Sequence, residues 1–192
     1  ENSIVAGNTN AGSARDIDRG ANADITINNS LIGAADNFGT IDGNVGNLTG
    51  TTADPLDPLL GELADNGGPT LTHALLPGSP AIDAGDNAKA VDADGNQLVF
   101  DQRGEGFDRF SGFASLMVDM GAFEVQVPDE LVVSTLADVS DNNFTPGNLS
   151  LREAIEIANV RAGSDAITFD DSLSGETILL NGTDLDINDS LI

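Results

Sequence analysis

The chain has no cysteine, no tryptophan and no tyrosine; its aromatic bulk is eight phenylalanines. Without a thiol, a disulfide framework, a redox pair and a thiolate metal site are all excluded. There is one histidine, His73, so a histidine-based metal centre cannot be assembled within one chain. Cations are scarce, with 7 Lys and Arg against 32 Asp and Glu and a net charge of −25. Binding a phosphate backbone needs a positive surface, so nucleic acid is not an expected partner, and an anionic bilayer would repel the chain. No apolar run approaches the ~20 residues that span a membrane, so membrane insertion is not expected either.

What is present is turn chemistry. Gly occurs 22 times, and Asn, Asp, Ser and Thr are abundant. Such a composition favours short strands closed by turns over long helices. A core poor in aromatics suits a narrow solenoid filled by small aliphatic side chains. The fold class expected is therefore all-β, a right-handed parallel β-helix (solenoid) with one short capping α-helix. At 192 residues the chain suits one ordinary domain or two small ones.

Residues 1–53 carry short β-branched runs between Asn, Gly and Asp: Ser3-Ile4-Val5, Asp24-Ile25-Thr26-Ile27 and Ser30-Leu31-Ile32. They read as β-helix coils, with stacked Asn side chains forming ladders in the turns. Residues 54–127 are richer in proline and read as a closing region, with strand candidates at 70–76, 97–100 and 116–118. Residues 128–192 read as an opening cap followed by the first coils of a next unit, with strands at 131–133, 166–169 and 177–180. Within that cap Ser150 and Glu153 form the spacing of a capping box. Leu151, Ala154, Ile155 and Ala158 follow on one helical face, predicting a helix over about 151–160.

One phrase occurs twice. Ile27-Asn28-Asn29-Ser30-Leu31-Ile32 returns as Ile187-Asn188-Asp189-Ser190-Leu191-Ile192, and Asn2-Ser3-Ile4-Val5 echoes it. The chain thus reads as a unit cut from a tandem array, or as a subunit stacking head to tail on copies of itself. The expected joint sets Leu185, Ile187, Leu191 and Ile192 of one unit against Asn2, Ser3, Ile4 and Val5 of the next, by strand addition.

Longer stretches of text carry a resemblance. Leu149-Ser150-Leu151-Arg152-Glu153-Ala154-Ile155, with Ala158-Asn159 and Asp165 to Phe169, resembles the opening motif Cys-Ser-Leu-Arg-Glu-Ala of large secreted bacterial proteins. Leu149 stands at the Cys position, so nothing that depends on that thiol carries over. Asp57 to Gly61, Leu63 to Thr70, Ser79 to Gly85, Asp101 to Gly104 and Asp119 to Glu124 are similar to the choice-of-anchor-type region that closes β-helices in the same proteins. The resemblance implies a right-handed parallel β-helix in an adhesin-like surface protein. Because the closing text comes first, it also implies a junction between two units, with a linker near 127–130.

Candidate sites are few. Asp92, Asp94 and Asn96, with Asp101, can offer oxygen ligands to Ca²⁺, although Asp94-Gly95 equally suits a plain hairpin turn. Asp138, Asp141, Asn142 and Asn143 form a second such group. Arg103 and Arg152 are expected to make internal bidentate pairs with aspartates, given the shortage of cations. His73 has Ser79 and Asp83 nearby in sequence, but no nucleophile elbow surrounds any Ser. The chain is therefore expected to be no enzyme. The leading functional expectation is a structural repeat or subunit of an extracellular filament, sheath or giant surface protein, assembling head to tail through its β-helix ends, with Ca²⁺ as the candidate cofactor. An adhesin module binding glycans or a cell surface is the alternative, and a polysaccharide lyase or hydrolase the third reading.

Overall fold

Asn2, Asn29 and Gly46 take left-handed backbone conformations, with φ of 49°, 49° and 68°, a region open mainly to Gly and tolerated by Asn. Each begins the same local path: a polar residue, then two strand residues. These pairs are β1 (Ile4–Val5), β4 (Leu31–Ile32) and β5 (Leu48–Thr49), which stack in parallel with Ile4 opposite Leu31 and Leu31 opposite Leu48. A polar ladder runs beside them. Ser3 N donates to Ser30 Oγ (3.3 Å), Ser30 N to Asn47 Oδ1 (2.9 Å), and Asn47 Nδ2 to the Ile27 carbonyl (2.6 Å).

The structure, a computed structural model, describes residues 1–10, 13–14, 16–17, 26–35, 45–110, 117–145, 147–161 and 164–188. These form two compact units, one up to Val125 and one from Gln126. The described residues of the expected coil segment and of the closing region up to Val125 lie in the first unit, and Gln126 and Val127 lie in the second.

In the first unit β2 (Thr9–Asn10) and β3 (Ser13–Ala14) make a small antiparallel pair. β6 (Leu60–Ala64) and β7 (Thr72–Leu75) make a longer antiparallel hairpin, closed by the Gly67-Gly68 turn. The core lies where Leu31, Leu75, Ala81 and Met120 meet, with Ile4, Leu48, Leu60 and Phe123 packed around them. Residues 97–100 and 117–118 are not strands; Gln97 and Phe100 make isolated bridges to Val91 and Asp108.

The second unit is built on β8 (Leu131–Val133), α1 (Leu151–Val160) and β9 (Ile167–Phe169). β8 and β9 pair in parallel, so α1 is the crossover between them rather than a cap on a solenoid. Its Ala154, Ile157 and Ala158 pack on Leu131, Val133 and Leu149. Both halves of the capping box form. The Glu153 carboxylate also accepts from Asp141 N (3.0 Å) and Asn142 N (2.9 Å), and burial pushes its pKa up.

The expected parallel β-helix is not what the chain builds. Among the described residues the sheets have two or three strands, and none forms a solenoid. Two physical reasons stand out. The parallel strands are separated by unequal intervals, 27 residues from Ser3 to Ser30 and 17 from Ser30 to Asn47, so no constant coil exists to repeat. Beyond them the chain turns back on itself in the antiparallel β6–β7 hairpin, which a parallel ladder cannot continue. The expected strand at 177–180 is likewise not formed.

Leu31 is fully buried between two strands; Leu31→Ala is expected to cost about 2–5 kcal/mol in urea unfolding. Ser150→Ala, which removes a buried N-cap, is expected to cost about 0.5–2 kcal/mol. Substitutions that leave the unfolding midpoints unmoved would contradict these assignments.

Candidate functional site

The densest polar chemistry lies inside the first unit, where Asp119 to Glu124 folds back on itself. Glu124 accepts from the Asp119 N–H with both carboxylate oxygens, at 3.2 and 3.0 Å. Asp119 returns the arrangement: Oδ2 accepts from Val125 N and Oδ1 from Asp83 N, each at 2.7 Å. The loop closes tightly at Gly121, whose φ is 105° and where a Cβ would sit 3.1 Å from the Ile4 side chain.

Two arginines enter this loop. Arg109 Nη1 lies 3.2 Å from Glu124 Oε2, and Nη2 donates to the Asp119 carbonyl at 3.0 Å. Arg103 binds Asp101 through Nε (2.9 Å) and Nη2 (2.6 Å), and Nη2 also donates to the Glu124 carbonyl at 2.6 Å. Its guanidinium lies between the rings of Phe107 and Phe123, 3.9 and 3.8 Å from their centroids, a cation–π sandwich in a buried site. Gly68 is required beside it, because any Cβ there would strike the Arg103 backbone.

Asp119 and Glu124 are 1% and 0% exposed. Burial raises the Asp119 pKa to about 7, and burial together with the Asp119 charge raises Glu124 to about 9. Arg109 pulls both down, but one cation facing two carboxylates, with Asp83 adding its own charge, leaves the pair holding a proton near neutrality. A glycosidase needs two carboxyls flanking a groove; these two face each other inside the fold.

Two open clefts lie in the same unit. One, of about 380 Å³, is lined by Asn2, Lys89, Phe100, Gln102 and Arg109 among others; at its edge Lys89 pairs with Glu1 at 3.3 Å. The other, of about 220 Å³, is mostly apolar and lined by Ile4, Leu60, Leu71, Met120 and Phe123, with His73 beside them. His73 Nδ1 is 2.8 Å from the Gly61 carbonyl, and the Ser79 hydroxyl donates to the Pro58 carbonyl at 2.6 Å.

The residues singled out in the sequence are not all brought together. Asp92 Oδ1 accepts from Asp94 N and Asn96 N, both at 2.9 Å, and Asn96 Nδ2 donates to the same carboxylate. The three thus form an exposed hairpin turn, and the Asn96 bonds hold the Asp92 pKa below its ordinary value. Asp101 is buried and engaged by Arg103 and by Glu124 N. Among the described residues no group of three or more His, Asp or Glu is arranged to hold a metal. In the second group, Asp138 binds Arg152 through both oxygens. Asn2 is a structural anchor. Its side chain bonds both N–H and C=O of Asp86, and its carbonyl accepts from Gly121 N. Ser3 and Val5 carbonyls accept from Leu31 and Gly33. Leu185 is half-buried and Ile187 exposed, while Leu191 and Ile192 lie outside the described residues.

Arg103 and Arg152 make the internal pairs expected of them. Arg109 and the Asp119–Glu124 pair were not legible as a cluster; the available signal was the rarity of cations, which makes any Arg in a polar loop a candidate ion-pair partner. Comparison of the chain with family models, curated proteins and solved structures finds no match.

The buried pair gives a pH dependence of definite sign. The folded pKa values of Asp119 and Glu124 lie above the unfolded ones, so between about pH 4 and pH 9 the folded state holds more protons. Stability from these groups is present in full below about pH 4 and is lost as pH rises through about 7 and then 9. Urea unfolding of the wild type is expected to weaken from pH 5 to pH 9. Glu124→Gln, which carries no titrating proton, should flatten the upper part of that decline. A wild-type stability that rises with pH over this range would refute the assignment.

Proposed function

We propose that the chain is a structural building block of an extracellular assembly, a filament, sheath or large surface protein, whose units join head to tail. One observation carries this reading. The phrase Ile27 to Ile32 contains β4, a strand with parallel neighbours on both edges and with Leu31 and Ile32 fully buried. The same phrase, with Asp189 for Asn29, recurs at Ile187 to Ile192. A segment with this text favours parallel partners on either side, the property that strand addition between units requires. The inward direction of the polar chemistry agrees with a structural role, because Asp119, Glu124, Arg103 and Arg109 serve cohesion. The net charge of −25 keeps separate units repelling until the joint forms or cations screen them.

The 380 Å³ cleft favours a second reading, an adhesin module. Its Phe100 ring, Gln102 and Lys89 offer an apolar platform beside hydrogen-bond donors, the combination that suits a sugar.

Electron microscopy of the protein over a range of concentrations, with and without EDTA, tests the first reading. Ordered fibres in the wild type, lost in Leu191→Asp, are the expected result, and collapse in EDTA would add a divalent cation to the joint. Monomers at every concentration and calcium level would overturn it and direct attention to glycan arrays.

A further inference from the structure

In the second unit residues 181–188 form no strand, yet they are held along α1 by three side chains. Asp138 Oδ2 accepts from Asn181 N at 2.7 Å, and the Asp138 carbonyl accepts from Asn181 Nδ2 at 2.9 Å. Arg152 donates to the carbonyls of Thr183 and Asp184, each at 3.2 Å. Asn159 donates to the Asp186 carbonyl and accepts from Asn188 N, both at 2.7 Å. Arg152 and Asn159 are seven residues apart, two turns along one helix face, or about 10 Å. That is the reach of about three residues of chain, between the two-residue step from Asp184 to Asp186 and the four-residue step from Asp184 to Asn188. All but one of these bonds go to backbone atoms, so the clamp reads the path of the chain and not its side chains.

We propose that this α1 face is an exchangeable strap site, and that its partner is residues 181–188 of a second copy of the chain. Three features support that occupant. Exchange of an identical segment preserves every contact, so it costs little beyond opening the strap. Opening costs little beyond Asn181, whose two bonds to Asp138 are partly buried, because the Arg152 and Asn159 bonds are solvent-exposed and in 181–188 only Leu185 is even partly buried. Leu179, Leu180 and Ile187 are 76%, 47% and 57% exposed, apolar surface on the strap and its approach that a second copy would cover. The joint also avoids Asn2, whose amide and carbonyl are already engaged within the first unit. The proposal deepens the assembly reading and rests on it for its biological use, while its geometry stands alone.

The chain has no cysteine, so cross-linking positions can be chosen freely. Glu156→Cys lies on α1 beside the clamp, and Asp184→Cys replaces a side chain the clamp does not use. The two single variants, distinguished by a mass tag, are mixed, refolded together and treated with a short bis-maleimide. Mixed covalent dimers whose fraction rises with concentration are expected. Because exchange preserves these contacts, adding Arg152→Ala and Asn159→Ala to both chains should leave the share of mixed dimers near its wild-type value, while chains mixed after folding should exchange about tenfold faster, since losing bonds of about 1 kcal/mol each eases opening by that much. Circular dichroism of each variant confirms the fold is retained. Cross-links confined to the Glu156→Cys, Asp184→Cys double variant, always within one chain, would overturn the proposal. So would fibres that form without mixed dimers, which would leave the assembly reading standing on another joint. Mixed dimers without fibres would uphold the strap and remove the assembly reading.

Discussion

Burying two carboxylates against a single guanidinium is the constraint on which the first unit depends. Asp119 and Glu124 touch through the Asp119 N–H, and Arg109 supplies the one facing cation. Neither acid could stay inside the fold without these partners, since an unpaired buried charge is costly. The arrangement binds segments that have little regular structure of their own. Asp83, Val125 and Asp101 each bond the pair directly, and Asn2 bonds Gly121 in the loop between its two members. Backbone groups that no sheet satisfies are satisfied here by side chains, as the completeness of buried hydrogen bonding demands. The retained proton follows from the same geometry, because two like charges in low dielectric cannot both be fully compensated by one Arg.

The second unit solves the same problem with a helix. Glu153 completes the N-terminal cap of α1 and also takes the N–H groups of Asp141 and Asn142, so one buried carboxylate organises both the helix start and the loop before it. Asp138 does comparable work nearer the surface, holding Arg152 and Asn181. The two carboxylates differ in what their bonds enclose. Glu153 is sealed beneath the helix start. The Arg152 and Asn159 bonds to the strap lie in solvent, where hydrogen bonds open at low cost.

These differences bear on the structural role proposed for the chain. A building block needs interiors that do not rearrange and edges that do. The ion pairs of the first unit and the apolar face of α1 belong to the former. The strap and the exposed leucines before it have the character of the latter, and a strongly acidic surface makes contact between copies selective, because it opposes association that lacks a well-matched joint.

Local chemistry was readable from the sequence. Ser150 and Glu153 at capping-box spacing fixed the helix start, the short aliphatic runs at 4–5, 31–32 and 131–133 became strands, and Arg103 and Arg152 found aspartates because cations are few. Asn2 and Asn29 carried the left-handed turns that repeat before β1 and β4. The assembly of these pieces was not readable. Parallel text suggested a continued solenoid, but unequal spacing and the Gly67-Gly68 hairpin divert the chain, and whether strand pairs stack or turn back depends on contacts far apart in sequence. Asp119, Glu124 and Arg109 are ordinary loop residues until burial brings them together. The sequence by itself determined the helix cap, the turns and part of the strands, which depend on neighbours a few residues away, while the strands expected at 97–100 and 177–180 do not form. Only the tertiary structure decided which carboxylates lose their water, because desolvation is a property of the packed whole.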